Sequence, residues 1–231
     1  MKATLLPDAL TQMPPTEVVV SFYQAYLQVV GDDPSDAALA ILVSQSCLET
    51  GWWKSIHNYN YGNIKAGQDY EGYYCQYRCN EIIDGKVEWF DPPHPQTNFR
   101  AYLSAAAGAT EHVAFLSKLT RYAAAWAAAL AGDPAAYVKA LKTAGYFTAS
   151  LDPYLKTVVS LVNHFLPIIQ TKPWPPVCDA AHPCVVDDST EHSPMSDEDL
   201  RTRISDLQIP IEFDWDQFQK DRDQAIQDSE D

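Results

Sequence analysis

The sequence has few basic residues and no long apolar run. Its 231 residues contain 16 Lys and Arg against 31 Asp and Glu, which gives a formal net charge of -15 at pH 7. A phosphate backbone or an anionic bilayer repels such a chain, so neither nucleic acid nor a membrane is expected as a partner. The first fifteen residues, MKATLLPDALTQMPP, lack the apolar stretch of a signal peptide. We therefore expect synthesis in the cytoplasm without a signal peptide.

Cysteine is also scarce, with five residues, an odd number that does not define a disulfide framework. The spacings predict two local bridges in oxidised protein, Cys75 with Cys79 and Cys178 with Cys184, and leave Cys47 as a small core residue. A four-thiolate zinc site is the alternative, although neither spacing is the usual C-x2-C. The six histidines form no H-E-x-x-H motif, so no metal or cofactor is expected for catalysis. No local motif supports a Cys–His peptidase built on Cys47 or Cys75.

The charge is concentrated at one end of the chain. Residues 1–186 carry 16 acids and 12 bases, a net charge of -4, whereas 187–231 carry 15 acids and 4 bases, a net charge of -11. Between them lies a proline-rich stretch without periodicity, which is typical of a linker. These shifts predict a compact domain over 15–170, a linker over 171–190 and an acidic tail over 191–231.

Helix boundaries are clearly marked in the predicted domain. Asp-Pro precedes three apolar periodic runs, which predicts an N-cap followed by the first helical residue, at Asp33-Pro34, Asp133-Pro134 and Asp152-Pro153. The corresponding stop signals are Gly51, Gly145 and Pro167. Further helices are predicted over 16–30, between Thr16 and Gly31, and over 104–118 and 121–131. About six helices make the domain mainly α.

A β-rich stretch interrupts the helical pattern between residues 70 and 90. It is rich in Tyr, Ile, Val and Trp, and Asp84-Gly85 separates NEII from KVEWF, which is a hairpin signal. A helical domain with a small β-lobe suggests a two-lobed cleft in an α+β fold.

Glu49 is the first candidate for chemistry. It ends an apolar helical run, where the negative end of the helix dipole disfavours ionisation, and Trp52 and Trp53 beside it can exclude water. Both effects raise a carboxyl pKa, and a glycosidase needs a protonated carboxylic acid to donate to the leaving oxygen. The alternative is an exposed Glu that tolerates its position.

The residues around Glu49 resemble a family signature. Glu49-Thr50-Gly51-Trp52 and Asn60-Tyr61-Gly62-Asn63-Ile64-Lys65 are similar to Glu-Ser/Thr-Gly-Trp-Gly and Asn-Leu-Phe-Gly-Ile-Lys of the bacterial glucosaminidase family of peptidoglycan hydrolases. Trp53 replaces the second glycine, and Asn63 is read as one extra residue between Gly62 and Ile64. Two later segments agree in order: Asn98-Phe99-Arg100-Ala101-Tyr102, and Ala144-Gly145-Tyr146 followed by Asp152-Pro153-Tyr154. Three residues, Ala149, Ser150 and Leu151, are additional to the family pattern there.

The resemblance covers about residues 16–167 and implies a lysozyme-like helical domain with a β-hairpin lobe beside a substrate cleft. It implies Glu49 as the general acid and a second carboxylate before the hairpin turn, where Glu81 stands. Glu71 and Glu88 compete with Glu81, because the hairpin register cannot be read from sequence. It also implies that Tyr146 lines the cleft and holds substrate or the acid, against the alternative of a buried structural tyrosine.

Aromatic and polar side chains near these segments are candidates for glycan binding, since rings stack on the C–H faces of sugars. The proposed substrate-binding residues are Gln45, Trp52, Asn60, Tyr61, Lys65, Tyr70 and Tyr154. The expected function is hydrolysis of the glycan β-1,4 linkage of peptidoglycan after N-acetylglucosamine. The alternatives are a lytic transglycosylase and a non-catalytic glycan-binding virion component.

The tail combines acidity with isolated apolar residues. Leu200, Ile204 and Leu207 share one face of a possible short helix, and Ile211, Phe213 and Trp215 alternate after Pro210. We expect residues 195–231 to dock on a carrier, with a disordered solubilising tail as the alternative. The enzyme would then reach the wall after lysis, in a virion or after injection.

Overall fold

Six α-helices make up about half of the part of the chain that the structure describes, residues 3–83, 86–147 and 149–171. In this computed structural model the helices are α1 (Pro15–Val30), α2 (Asp36–Glu49), α3 (Ala105–Lys118), α4 (Ala123–Leu130), α5 (Pro134–Thr143) and α6 (Leu151–Ile169). They confirm the predicted mainly α class. None of these helices is long and apolar enough to cross a membrane.

Helix α2 forms the centre of the domain. Every residue from Ala38 to Leu48 is buried, so the helix is covered on all sides and shows little amphipathic character. It packs against α6, α1 and α4. Because a fully covered helix has little freedom to shift, its last residue, Glu49, is held in a fixed position relative to the core.

The helix starts follow the predicted signals only in part. Asp133 caps α5 as predicted and accepts a hydrogen bond from the Ala136 amide at 2.9 Å. For α2 the predicted cap, Asp33, is wrong, because Asp33 accepts from Tyr23 Oη and Ser35 caps the helix instead. In α6 the Asp152-Pro153 pair lies inside the first turn, since the helix already begins at Leu151.

The predicted helix ends are likewise confirmed at one position and wrong at another. Gly31 follows α1 with a φ of 85°, the left-handed conformation expected of a glycine stop. Pro167, in contrast, does not end α6, which continues to Ile169. A proline at this position removes the amide that would bond the carbonyl of Asn163. Asn163 lies on the exposed side of α6, where water can bond that carbonyl.

The β-structure divides into two sheets. The first contains β1 (Thr4–Leu5), β2 (Tyr73–Gln76) and β5 (Asn98–Ala101), with β1 parallel and β5 antiparallel to β2. The second is the antiparallel pair β3 (Cys79–Ile83) and β4 (Lys86–Phe90), which confirms the predicted hairpin. The turn residues Asp84 and Gly85 lie outside the described residues.

The N-terminal segment belongs to the folded domain, although the predicted boundary at residue 15 leaves it out. Strand β1 pairs with β2, and the Asn58 side chain bonds both the Ala9 amide and the Pro7 carbonyl. A two-residue strand has no hydrophobic period of its own, so the sequence carries no signal for it. The predicted linker and acidic tail lie outside the described residues from position 172 onwards.

The predicted bridge between Cys75 and Cys79 is not formed. Both are free thiols: Cys75 is buried in β2 against Phe99, whereas Cys79 lies near Lys65 Nζ and the Gln96 carbonyl. Cys79 packs against the same small cluster as Cys75, but the two thiols differ in exposure and in their polar neighbours. Cys47 is free and buried, as predicted, and Cys178 and Cys184 lie outside the described residues.

Candidate active site

Glu49 is the last residue of α2; the residue as a whole is half-buried, and its carboxyl group is shielded from water. Burial removes water from the carboxylate and raises its pKa from the usual 4.5 to about 7, while a hydrogen bond from Tyr154 acts in the opposite direction. The group therefore holds a proton through much of the neutral range. This is the property that sequence position and the neighbouring tryptophans predict.

Tyr154, in the first turn of α6, is the direct partner of this carboxyl group. Its Oη donates a hydrogen bond to Glu49 Oε1 at 2.7 Å, and its ring stacks on Phe147 at a centroid distance of 3.8 Å. The stacking fixes the ring and the hydrogen bond fixes one carboxyl oxygen. Tyr154 does not bond the second carboxyl oxygen.

Tyr146 approaches the same region from the connection between α5 and α6. Its Oη donates to the Gly62 carbonyl at 3.0 Å. Burial raises the pKa of Tyr146 well above its usual value, and the negative charge of Glu49 raises it further. A Cβ at position 62 would lie only 2.6 Å from this Oη, so only glycine lets the loop pass so close.

The loop from Gly51 to Asn63 has an unusual backbone. Positive φ values occur at Gly51 and at five other residues, Trp52, Trp53, Asn58, Tyr59 and Asn63. For a residue with a Cβ this conformation costs roughly 1–2 kcal/mol. The loop therefore needs compensating contacts.

Two of these positive φ values coincide with glycines of the resembling pattern. Trp53 stands at the second glycine of Glu-Ser/Thr-Gly-Trp-Gly and has a φ of 57°, and Asn63 has a φ of 48°. The segment from Asn60 to Lys65 has as many residues as Asn-Leu-Phe-Gly-Ile-Lys, so Asn63 replaces its glycine and is not an extra residue. The prediction of an extra residue is therefore wrong. Asn63 keeps the left-handed backbone of the glycine that it replaces and adds a side chain.

Trp52 and Trp53 have different surroundings. Trp53 is fully buried, and its Nε1 donates to Ser46 Oγ on α2 at 3.0 Å. Trp52 is half-buried and packs edge-on against His164 of α6, with Phe165 at a centroid distance of 5.6 Å. Of this pair, Trp52 presents its surface to solvent and Trp53 supports the loop from below.

Three of the predicted substrate-binding residues are fully buried: Gln45, Asn60 and Tyr61. Gln45 Oε1 accepts from Tyr137 Oη at 3.0 Å and from His112 Nε2 at 3.1 Å. Asn60 bonds the backbone of Ile64 in both directions. In this conformation they hold the loop and the core together, and their contact with substrate stays a prediction.

The predicted second carboxylate, Glu81, lies on β3 and pairs with Lys65. Lys65 Nζ is 2.9 Å from Glu81 Oε1, contacts the Gln96 carbonyl and lies 4.1 Å from the centre of the Phe99 ring. Glu88 is directly opposite Glu81 in the hairpin and shares its face. Glu81 and Glu88 therefore differ in their contact with Lys65, and the sequence alone does not reveal this difference.

Tyr70 lies three residues before β2. It lines a cavity of about 330 Å³ together with Gly72, Tyr73, Ala101, Tyr102, Leu103, Ala107 and Glu111. The Arg100 guanidinium covers its ring at 4.5 Å. The structure thus gathers Glu49, Tyr146 and Tyr154, joins Lys65 to Glu81, and places Tyr70 in this cavity.

The sequence does not reveal the contacts that join Tyr77, Phe99, His57 and Asp8. Tyr77 stacks on His57 at 3.9 Å and on Phe99 at 4.1 Å, and His57 Nδ1 is 2.6 Å from Asp8 Oδ1. Asp8 and His57 are 49 residues apart, so no local pattern relates them. Within the described ranges, no group of three or more His, Cys, Asp or Glu residues is placed to hold a metal ion.

Comparison with known proteins gives one family. A family model described as mannosyl-glycoprotein endo-β-N-acetylglucosaminidase, the glucosaminidase family, matches residues 34–166. A mutant peptidoglycan hydrolase from Sphingomonas sp. A1 is 26% identical, with a TM-score of 0.50, over 67% of this chain and 97% of that one. No curated protein sequence matches the chain.

Two further solved structures are more distant. The C-terminally truncated glycoside hydrolase domain of FlgJ from Salmonella typhimurium is 22% identical over 66% of this chain and 97% of that one, with a TM-score of 0.44. The catalytic domain of the autolysin Auto from Listeria monocytogenes is 15% identical over 70% and 91%, with a TM-score of 0.46. The lysozyme-like fold implied by the sequence motifs is confirmed. Since the family model spans more than half of the 231 residues, the chain belongs to the glucosaminidase family of glycoside hydrolases.

Proposed function

We propose that this protein hydrolyses the glycan β-1,4 linkage of peptidoglycan after N-acetylglucosamine, with Glu49 as the general acid. The observation that carries the proposal is the carboxyl group of Glu49, whose burial raises its pKa to about 7 while Tyr154 orients one oxygen. The Sphingomonas peptidoglycan hydrolase, with 26% identity, supports the substrate class.

In the proposed reaction, protonated Glu49 gives its proton to the glycosidic oxygen as the bond from that oxygen to C1 breaks. Positive charge develops on the sugar ring, and a water molecule attacks C1 and loses a proton. The products are a new reducing end and a free hydroxyl on the next sugar. The ionised Glu49 then recovers its proton from solvent.

Glu81 is the proposed assisting carboxylate. Its ion pair with Lys65 holds the side chain in place on the β-lobe, where the carboxylate could accept a proton from water or stabilise a positive ring. Tyr146 is proposed to hold substrate or the acid, and its bond to the Gly62 carbonyl keeps the phenol near the loop after Glu49. Trp52, Lys65 and Tyr70 retain accessible surface for glycan contacts.

The decisive experiment digests purified peptidoglycan with the wild-type protein and the Glu49→Gln variant, and identifies the new ends by mass spectrometry. Wild type is expected to produce reducing N-acetylglucosamine ends, and Glu49→Gln almost none. Glu17→Gln, the same change at an exposed residue of α1, serves as the matched control. Anhydro-muramyl ends would favour a lytic transglycosylase, and no new ends would favour a non-catalytic glycan-binding component.

The acidic segment 195–231 is proposed to attach the enzyme to a carrier. The proposal rests on its alternating apolar residues, because the segment lies outside the described residues. Deletion of 190–231 is expected to leave hydrolysis of purified wall intact and to abolish incorporation into the carrier. Loss of hydrolysis or of folding on deletion would instead make the tail part of the domain.

A further inference from the structure

Asn63 connects the end of α2 with the β-lobe. Its Nδ2 donates to the backbone carbonyl of Glu49, and its Oδ1 accepts a hydrogen bond from Tyr77 Oη at 3.3 Å. Both polar atoms of the side chain are therefore used, one on each side of the loop.

The backbone conformation at Asn63 is one that favours glycine, so the presence of a side chain at this position needs a reason. Its φ of 48° lies in the left-handed region, which glycine adopts freely and asparagine better than most other residues. A glycine would satisfy the backbone at lower cost but could not bond the Glu49 carbonyl. The carbonyl is one of the last in α2, where the helix has no further amides to bond it.

The other end of the connection is also fixed. Tyr77 is stacked between His57 and Phe99, with ring centroids 3.9 Å and 4.1 Å away. His57 is in turn held by Asp8 of the N-terminal segment. The charge of Glu49 is felt at Tyr77, whose pKa is raised chiefly by burial and to a smaller extent by that charge.

We propose that Asn63 is a positioning residue for the general acid. It ties the backbone of Glu49 to Tyr77 and thereby fixes the direction in which the carboxyl group leaves the end of α2. This inference rests on the proposed role of Glu49. It adds a connection running from the N-terminal segment through His57 and Tyr77 to Asn63 and the end of α2.

Four phenols face Glu49. They are Tyr77 before β3, Tyr137 on α5, Tyr146 after α5 and Tyr154 on α6. Burial raises the pKa of the Glu49 carboxyl group, and the Tyr154 hydrogen bond lowers it. A small displacement of its backbone, which admits water, is therefore expected to lower its pKa.

The test uses full-length protein carrying Asn63→Gly, which keeps the left-handed backbone and removes both side-chain bonds. Steady-state kinetics on soluble glycan strands are expected to show kcat reduced about tenfold and KM changed less than twofold, because small misplacements of a reacting group act on the transition state. In parallel, the Glu49 carboxyl group is titrated by NMR, with its signal assigned through Glu49→Gln. Its midpoint is expected to move to lower pH.

Tyr77→Phe removes only the bond to Asn63 and is expected to change both quantities in the same direction by a smaller amount. Tyr23→Phe, which removes a tyrosine hydrogen bond to Asp33 at the start of α2, is the matched control and should change neither. If Asn63→Gly does not fold, Tyr77→Phe decides the question.

Wild-type kcat and an unmoved Glu49 titration in the folded variants would overturn the proposal, even with a lower Tm. Failure of the wild-type protein to cleave peptidoglycan would overturn the proposed function instead. The NMR titration tests the placement of Glu49 in either case.

Discussion

Tyr154 and Glu49 are joined by a 2.7 Å hydrogen bond between residues 105 positions apart, which links the first turn of α6 to the last residue of α2. The bond favours the ionised carboxylate, whereas burial favours the protonated acid. The pKa of about 7 is the result of burial outweighing the hydrogen bond. The two effects can be separated by mutation.

Tyr154→Phe removes the hydrogen bond and leaves the ring. The pKa of Glu49 is expected to rise further, and kcat to fall roughly ten- to a hundredfold, since losing a hydrogen bond to a charged reacting group costs about 1.5–3 kcal/mol. The pH–rate profile is the measurement, and its alkaline limb should move to higher pH. Tyr23→Phe is the control, and an unchanged alkaline limb in Tyr154→Phe would contradict this account.

The protonation of Glu49 also predicts how stability depends on pH. The pKa is about 7 in the folded protein and near 4.5 when unfolded, so between these values the folded state holds more protons and the free energy of unfolding falls as pH rises. Glu49→Gln removes this contribution. Urea unfolding should therefore show the variant gaining stability relative to wild type from pH 4.5 to 7, with no further gain above. Parallel curves for the two proteins would show that the carboxyl group is not buried in this way.

Glu81 and Glu88 form a matched pair on one face of the hairpin. Glu81→Gln is expected to reduce kcat by roughly 10²-fold or more if Glu81 acts as the base. Glu88→Gln, the same change on the residue directly opposite, should leave kcat within about twofold, because only Glu81 pairs with Lys65. A large loss in Glu88→Gln together with a small one in Glu81→Gln would exchange their roles.

His112 predicts a loss of stability in acid. Burial lowers its pKa from 6.5 to about 3, so the unfolded chain binds a proton between these values while the folded protein does not. This contribution to stability is lost as the pH falls from 6.5 towards 3. The His112→Gln variant should show a shallower decrease in Tm over that range than wild type. An equally steep decrease would mean that other groups cause the acid sensitivity.

The thiols give a prediction about accessibility. Burial raises the pKa of Cys75 to about 12 and that of Cys47 well above its usual value, whereas Cys79 is half-buried near Lys65. In native reduced protein, iodoacetamide should modify Cys79 first and leave Cys47 and Cys75 unmodified until unfolding. Peptide mapping measures the order. A Cys75–Cys79 disulfide isolated from the native oxidised protein would restore the bridge that the sequence predicts.

Much of the fold follows from local patterns in the sequence. Apolar periodicity predicts the helices, and the alternation around Asp84-Gly85 predicts the hairpin, because both patterns repeat within a few residues. The predicted helix ends are wrong where contacts with other parts of the chain replace the expected cap. Asp33 does not cap α2, because the helix begins at Asp36 behind the Ser35 cap, and the Asp33 carboxylate accepts instead from Tyr23, ten residues earlier.

For the candidate acid, too, some properties can be predicted from the sequence and others cannot. Its place at the end of an apolar helix followed by Gly51 and Trp52 is visible in the sequence. The Tyr154 hydrogen bond and the Asn63 connection are not visible, since they join segments that meet only after folding. The burial of Gln45, Asn60 and Tyr61 was likewise unpredictable, because polar side chains are buried only where folding supplies partners such as Tyr137 and His112.

The sequence by itself therefore determined the helical class, the hairpin and the glucosaminidase motifs, and it made Glu49 the candidate acid, since each depends on residues close together in the chain. The tertiary structure decided the pKa of Glu49, the pairing of Glu81 with Lys65 and the inclusion of the N-terminal segment. These properties depend on which distant groups exclude water or bring charge to a site, and only the packed chain fixes those neighbours.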